Sequence, residues 1–198
     1  MTTDINVRDF RKPEHEINHL LLKRWSPRAL SGAALPEEEL MSLFEAAKWA
    51  PSAYNNQPWR FIYARNNTPE WDKLFSLLVE FNQLWTKKAA ALALLVSRQT
   101  FEHNGQSNPT ASFDTGAAWE NLAIEAANRG LVAHGMSGFD YARAKKEFNI
   151  SDDYKVEAMI AIGLPGDKND LPEEMRDNEK PSDRKMLSAL VGEGKLLA

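Results

Sequence analysis

Residues 50–59 read Ala-Pro-Ser-Ala-Tyr-Asn-Asn-Gln-Pro-Trp, a run dense in turn formers and side-chain amides between two strongly apolar-patterned segments. Pro51 and Pro58 fix φ and remove two backbone donors, so the stretch is stiff rather than merely irregular. An amphipathic helix must end before it and an apolar strand must begin after it. Ser52, Asn55, Asn56 and Gln57 offer hydroxyl and amide groups that could read a heteroaromatic ring of alternating donors and acceptors. The same residues would serve a plain helix-to-strand connection with an Asx-turn. Composition leaves both readings open.

The rest of the composition narrows the class. A chain of 198 residues can bury one substantial core and is marginal for two domains. Its 43% apolar and 26% charged residues are those of a soluble globular protein. A net charge of −4 gives no electrostatic footprint for nucleic acid. Cysteine is absent, which excludes disulfides, thiol nucleophiles and thiolate metal sites and suits a reducing compartment. Residues 1–13 are polar and carry both charges, without the apolar core of a signal peptide. The longest apolar run, 89–96, is far short of the roughly 20 residues that span a bilayer. A cytoplasmic protein with no membrane partner is expected.

Taken in order, residues 14–24 have helical periodicity, with Ile17, Leu20 and Leu21 on one face. His15 and His19 stand i, i+4, but no further ligand cluster completes a metal site, so no metal is expected. Ser26-Pro27 should end this helix. Arg24 and Arg28 then flank a turn whose guanidinium forks suit phosphate oxygens, or simply cap a helix C-terminus. Residues 36–49 form the clearest helix, with Pro36 at its first position and Glu37, Glu38 and Glu39 at its positive end. Residues 59–64 read as a strand. Thr68 caps a helix that runs through Leu74, Leu77, Leu78 and Phe81, and 82–88 is a further turn or short helix. The apolar run 89–97 is a central strand buried on both faces. Residues 99–112 look like a mobile loop. The alanine-rich stretch 113–129 is a buried helix, suited to a subunit interface. In 131–140, Gly135 and Gly138 allow close backbone approach or a turn. Asp140 caps a short helix, 154–163 is a strand, and 164–185 is an extended arm rather than core, with a helical turn at 186–191.

The order of these pieces carries more than any one of them. An Arg-x-Ser-x-Arg turn at 24–28, then a helix, then Pro-Ser-x-x-Asn-x-Gln-Pro-Trp at 51–59 leading into a strand, resembles the nitroreductase family of FMN-dependent oxidoreductases. The likeness continues through Phe-Asp-Thr-Gly-Ala-Ala-Trp-Glu-Asn-Leu at 113–122, Gly-Phe-Asp at 138–140, Ile-Gly-Leu-Pro-Gly at 162–166 and Arg184. It spans about 20–191, and 51–59 is its most specific part.

That resemblance implies an α+β, nitroreductase-like fold: a central mixed β-sheet flanked by helices in an interlocked homodimer. One FMN-binding domain would span 1–198, with 164–198 as a C-terminal arm. The FMN sites would lie in the dimer interface. Arg24, Trp25, Ser26 and Arg28 look like the first FMN-contacting run, with Arg24 and Arg184 at the phosphate and Arg28 nearer the pyrimidine end. Pro51, Ser52, Ala53 and Asn55 would approach from the partner subunit. Asn82 would bond the ring edge, and Ser137 and Gly138 would present backbone amides near N5. No catalytic side chain is expected, since the flavin carries the hydride chemistry.

Three positions depart from the family pattern. Trp85 stands where some relatives have a second basic residue, so the pocket should be more aromatic and lean on Arg28. Ser182 stands where relatives can carry a lysine, which should weaken the phosphate grip. Trp25 is a bulky variant at a variable position. The resemblance implies ping-pong transfer of hydride from NADH or NADPH to nitroaromatics, quinones or similar flat acceptors. A specialised enoyl or dehalogenating reductase on the same fold, or a flavin-binding module without nicotinamide turnover, stay open beside it.

Overall fold

Four strands, Trp59–Arg65 (β1), Ala91–Arg98 (β2), Val132–Met136 (β3) and Tyr154–Gly163 (β4), make one sheet in the order β1-β2-β4-β3 in the computed structural model. It describes residues 5–197; the first four residues of the polar 1–13 stretch and the last residue of the arm lie outside the described residues. All three pairings are antiparallel. The expected α+β architecture is present, but the expected mixed sheet is corrected: within one chain the ladder is wholly antiparallel. Short helices explain the difference. Pro69–Phe75 (α3) and Glu80–Thr86 (α4) are separated by a break at 76–79, where Val79 is extended, so the chain folds back to the end of β1 it left. The expected run of one helix through Leu78 and Phe81 does not form.

β2 is buried along nearly all its length because helices cover both faces of the sheet. Its side chains alternate with period two. Leu92, Leu94 and Val96 join Trp71, Leu74, Trp85 and Met159 in one core. Ala91, Ala93 and Leu95 join Leu40, Leu43, Leu122, Ala126 and Ile160 in the other. Small side chains on this second face let Glu37–Lys48 (α2) and Ala111–Asn128 (α5) lie close to the sheet. Glu37, Glu38 and Glu39 occupy the first turn of α2, favoured by the helix dipole, with Pro36 as its N-cap rather than its first helical residue.

Other expectations need revision. Only His19–Lys23 (α1) is helical in the 14–24 stretch, because the Asn18 side chain accepts from Leu20 N and starts the helix there. His15 therefore lies outside it, and the two histidines do not share a helix face. Residues 99–108 form a closed loop, bridged at Thr100 and Ser107 and held by Asn56, rather than a free one. Residues 132–136 pair with β4 as an edge strand, and the Trp119 indole fills the space above Gly135, 3.1 Å from where a Cβ would stand.

Tyr141–Glu147 (α6) starts at the Asp140 cap as expected. The arm contributes to the core after all: Leu171 and Met175, the latter in Glu173–Arg176 (α7), are buried. Its start is pinned by Gly166 N donating to Ala29 O at 2.9 Å and Ser31 N donating to Leu164 O at 3.0 Å.

Candidate active site

α1 ends at Arg24, and the chain leaves it extended towards Ser26-Pro27. Arg24 is largely buried, with a side-chain exposure of 15%. Its Nε lies 3.3 Å from Glu120 Oε1, yet is misaligned and has no hydrogen-bond acceptor. Two further arginines stand beside it. Arg184 Nη1 donates to Ser182 O at 3.2 Å and to Ser182 Oγ at 3.1 Å. Arg11 Nη1 donates to the carbonyls of Leu22 and Arg24, both at 2.6 Å, and its Nε donates to Ser182 O at 3.0 Å. Three guanidiniums thus converge from the N-terminal segment, the turn and the arm. Asp183 and Glu120 are the carboxylates among them. Ser182 is an anchor for two of these arginines.

Arg28 comes next along the turn. Its backbone N and that of Ala29 both donate to Glu179 Oε1, at 2.7 and 2.8 Å, while its guanidinium has no hydrogen-bond partner among the described residues. Behind the turn, His134 Nδ1 lies 3.0 Å from Pro27 O. Burial pushes the imidazole down to about 4; the Pro27 and Ser26 carbonyls pull upward and the Arg28 charge pushes down. The buried Trp85 indole packs on His134 with centroids 4.7 Å apart. Its Nε1 donates to Asn82 Oδ1 at 3.3 Å, and Asn82 Nδ2 donates to Gly138 O at 3.0 Å. A Cβ at Gly138 would stand 2.6 Å from Asn82 Nδ2 and would displace that side chain. The backbone N–H groups of Ser137 and Gly138 donate to nothing among the described residues.

Trp85 is 2% exposed. The expectation that it makes the pocket more aromatic is therefore corrected; it is the beam under the site, not a wall. Trp25 also faces elsewhere. With Lys23, Pro27 and Ala29 it lines a separate cleft of about 450 Å³. In an extended segment alternate residues point oppositely, which separates Trp25 from Arg24, Ser26 and Arg28.

The 51–57 loop is built for rigidity. Tyr54, Asn55 and Gln57 all have positive φ, near 50°, a costly conformation for a bulky tyrosine. Ser52 Oγ accepts from Gln57 N at 3.0 Å and Asp114 Oδ2 accepts from Ala53 N at 3.1 Å. Asn56 is spent on the 99–108 loop, accepting from Glu102 N and donating to Thr100 O. Pro58 O accepts from Arg98 N at 2.8 Å, anchoring the loop to β2. Pro51 and Asn55 remain exposed, and the Asn55 side-chain amide has no partner among the described residues.

Within one chain the loop does not meet the arginines. Its tie, Asp114, and the Arg24 neighbour, Glu120, stand on the same helix, α5, but about 9 Å apart along the axis and on different sides. Arg24 and Arg184 are each brought to Arg11, and Asn82 meets Gly138. Pro51, Ser52, Ala53 and Asn55 form their own group. Sequence reasoning missed Arg11, Glu179 and His134, whose partners are mostly backbone atoms distant in the chain. Among the described residues, no His, Asp and Glu cluster could hold a metal, and no helix is long and apolar enough to cross a membrane.

The family model described as Nitroreductase family matches residues 21–164. A solved structure described as an oxidoreductase containing FMN is 44% identical, covering 93% of this chain and 95% of its own, with a TM-score of 0.90. A Clostridium acetobutylicum structure provisionally described as an NADH oxidase is 25% identical, covering 89% of this chain and 99% of its own, with a TM-score of 0.69. A Streptomyces griseus relative provisionally named NADH dehydrogenase/NAD(P)H nitroreductase is 27% identical over 150 residues, 66% of this chain and 76% of its own.

Proposed function

The chain belongs to the nitroreductase family of oxidoreductases, and from that premise we propose that it binds FMN and uses NADH or NADPH to reduce nitroaromatics, quinones or similar flat acceptors in a ping-pong cycle. The observation that carries this reading is Arg24, a mostly buried guanidinium whose Nε has no aligned acceptor, beside Arg184 and Arg11. Such a cluster suits a phosphate monoester, which is nearly dianionic at neutral pH.

The remaining residues fit the rest of the cofactor. Arg28 has a free guanidinium that would stabilise negative charge at the pyrimidine edge. Ser137 and Gly138 offer unused N–H donors, held in place through Asn82 and Trp85. When bound, FMN supplies the two-electron chemistry, taking hydride from the nicotinamide and giving it to the acceptor. The side chains bind, orient and tune.

We place the site at the interface of a homodimer in the cytoplasm, with 51–55 of a second copy closing over Arg24 and Arg28. Support comes from the separation of the two half-sites and from apolar side chains left open in one chain. Trp49 is 74% exposed, Tyr54 82% and Phe113 80%.

Added FMN should raise the melting temperature of the stripped protein, and Asn55→Ala should weaken FMN retention without unfolding the chain. Protein that is colourless as purified and gains no heat stability from FMN would refute the reading. An Asn55→Ala variant holding FMN as tightly as the parent would refute the assignment of the 51–55 loop.

A further inference from the structure

Arg11 lies beyond the family-matched residues, just after a 3-10 turn at Val7–Asp9, yet it is only 6% exposed. A buried guanidinium needs compensation, and here backbone carbonyls provide it. Leu22 and Arg24 carbonyls accept from Nη1 at 2.6 Å, and Ser182 O accepts from Nε at 3.0 Å. Arg184 donates to the same Ser182 carbonyl at 3.2 Å. One side chain therefore ties the N-terminal strap to both segments that carry the other arginines.

The charges do not balance around it. Burial lowers the Arg11 pKa most, the Arg184 and Arg24 charges lower it further, and Asp183 opposes them. Like charges held this closely repel unless an anion sits among them.

We propose that Arg11 is a positioning residue that gathers Arg24 and Arg184 into one seat for a phosphate monoester, and that the anion in turn holds the strap down. This rests on the reading of the chain as an FMN protein. Arg11 acts through the carbonyls it grips: without it, the turn at Arg24 and the arm at Ser182 lose their common tie. Because the phosphate offsets the mutual repulsion, its binding and docking of the strap reinforce each other.

The test compares FMN with riboflavin, which lacks only the phosphate. Dissociation constants for both are measured by flavin fluorescence on the full chain, as wild type, Arg11→Gln and Arg11→Lys. Arg11→Gln should weaken FMN about tenfold or more while changing riboflavin by less than about twofold. Arg11→Lys should recover only part of the loss, since a single ammonium nitrogen cannot stand at both the Nε and the Nη1 positions. In the wild type, FMN or inorganic phosphate should slow tryptic cutting after the exposed Arg8, and riboflavin should not.

Equal loss of both flavins would make Arg11 merely structural and overturn the proposal, as would unchanged FMN affinity in Arg11→Gln. If Arg11→Gln does not fold, the FMN-to-riboflavin ratio of Arg11→Lys and the wild-type digestion decide. A strap cut equally fast with and without FMN overturns the proposal. Wild-type protein that binds neither flavin overturns the FMN reading itself.

Discussion

The Trp85 indole joins two otherwise separate edges of the site: its ring packs 4.7 Å from the His134 imidazole, and its Nε1 donates to Asn82 Oδ1 at 3.3 Å. His134 in turn meets the carbonyl of Pro27, and Asn82 meets that of Gly138. The Arg28 turn and the Ser137–Gly138 amides are thereby set relative to one another through one buried indole. Three predictions about stability follow from this frame and its neighbours.

His134 makes folding pH-dependent. The unfolded imidazole takes a proton near 6.5, the folded one only near 4. Between these values the unfolded chain binds more protons, so the His134 contribution to stability is intact above about 6.5 and falls as pH drops towards about 4. Urea unfolding at stepped pH should show this loss in the wild type and a shallower one in His134→Gln. Parallel curves for the two proteins would contradict it.

Trp85→Phe keeps one aromatic ring in the core while removing the Nε1–H donor and part of the buried indole volume. Asn82 Oδ1 then loses its tie, at a cost of about 1 kcal/mol in denaturant unfolding. Trp85→Ala also empties a buried indole volume and should cost about 3–5 kcal/mol. Equal losses from the two variants would mean that packing has no share in the role of Trp85.

Gly166→Ala should destabilise by about 1–3 kcal/mol. Its Cβ would lie 2.5 Å from both the carbonyl carbon and oxygen of Leu30 and 2.8 Å from Ser31 N. These are backbone atoms that no rotamer change can move, and they belong to the segment that continues from the Arg28 turn. A thermal midpoint equal to that of the parent would show that the arm is not packed there.

Local chemistry made much of this readable beforehand. The aromatic and branched side chains of β1, the unbroken apolar run of β2 and the acidic first turn of α2 each announce their element. So do the Thr68-Pro69 entry to α3 and the Asp140 cap of α6. Arg24, Arg28 and Arg184 stood out because their order matched a family pattern. What stayed hidden depends on distant partners. Arg11 is one arginine in a polar stretch until the carbonyl of Ser182, 171 residues away, comes to it. Trp25 is a neighbour of Arg24 in sequence, yet its side chain lines a cleft with Lys23, Pro27 and Ala29 that Arg24 does not line. β3 is short, contains a glycine and lies at a sheet edge, so its pairing with β4 leaves little periodic trace. The helix expected over 14–24 failed because Asn18 offered a cap inside the pattern.

The proposed activity moves two electrons from a nicotinamide to a flat acceptor through FMN. Its most direct test is an anaerobic titration of FMN-loaded protein with NADH or NADPH, followed by addition of a quinone. At least one nicotinamide should bleach the visible flavin absorbance within a catalytic time scale, and the quinone should restore it. Flavin that stays oxidised with both nicotinamides would contradict it.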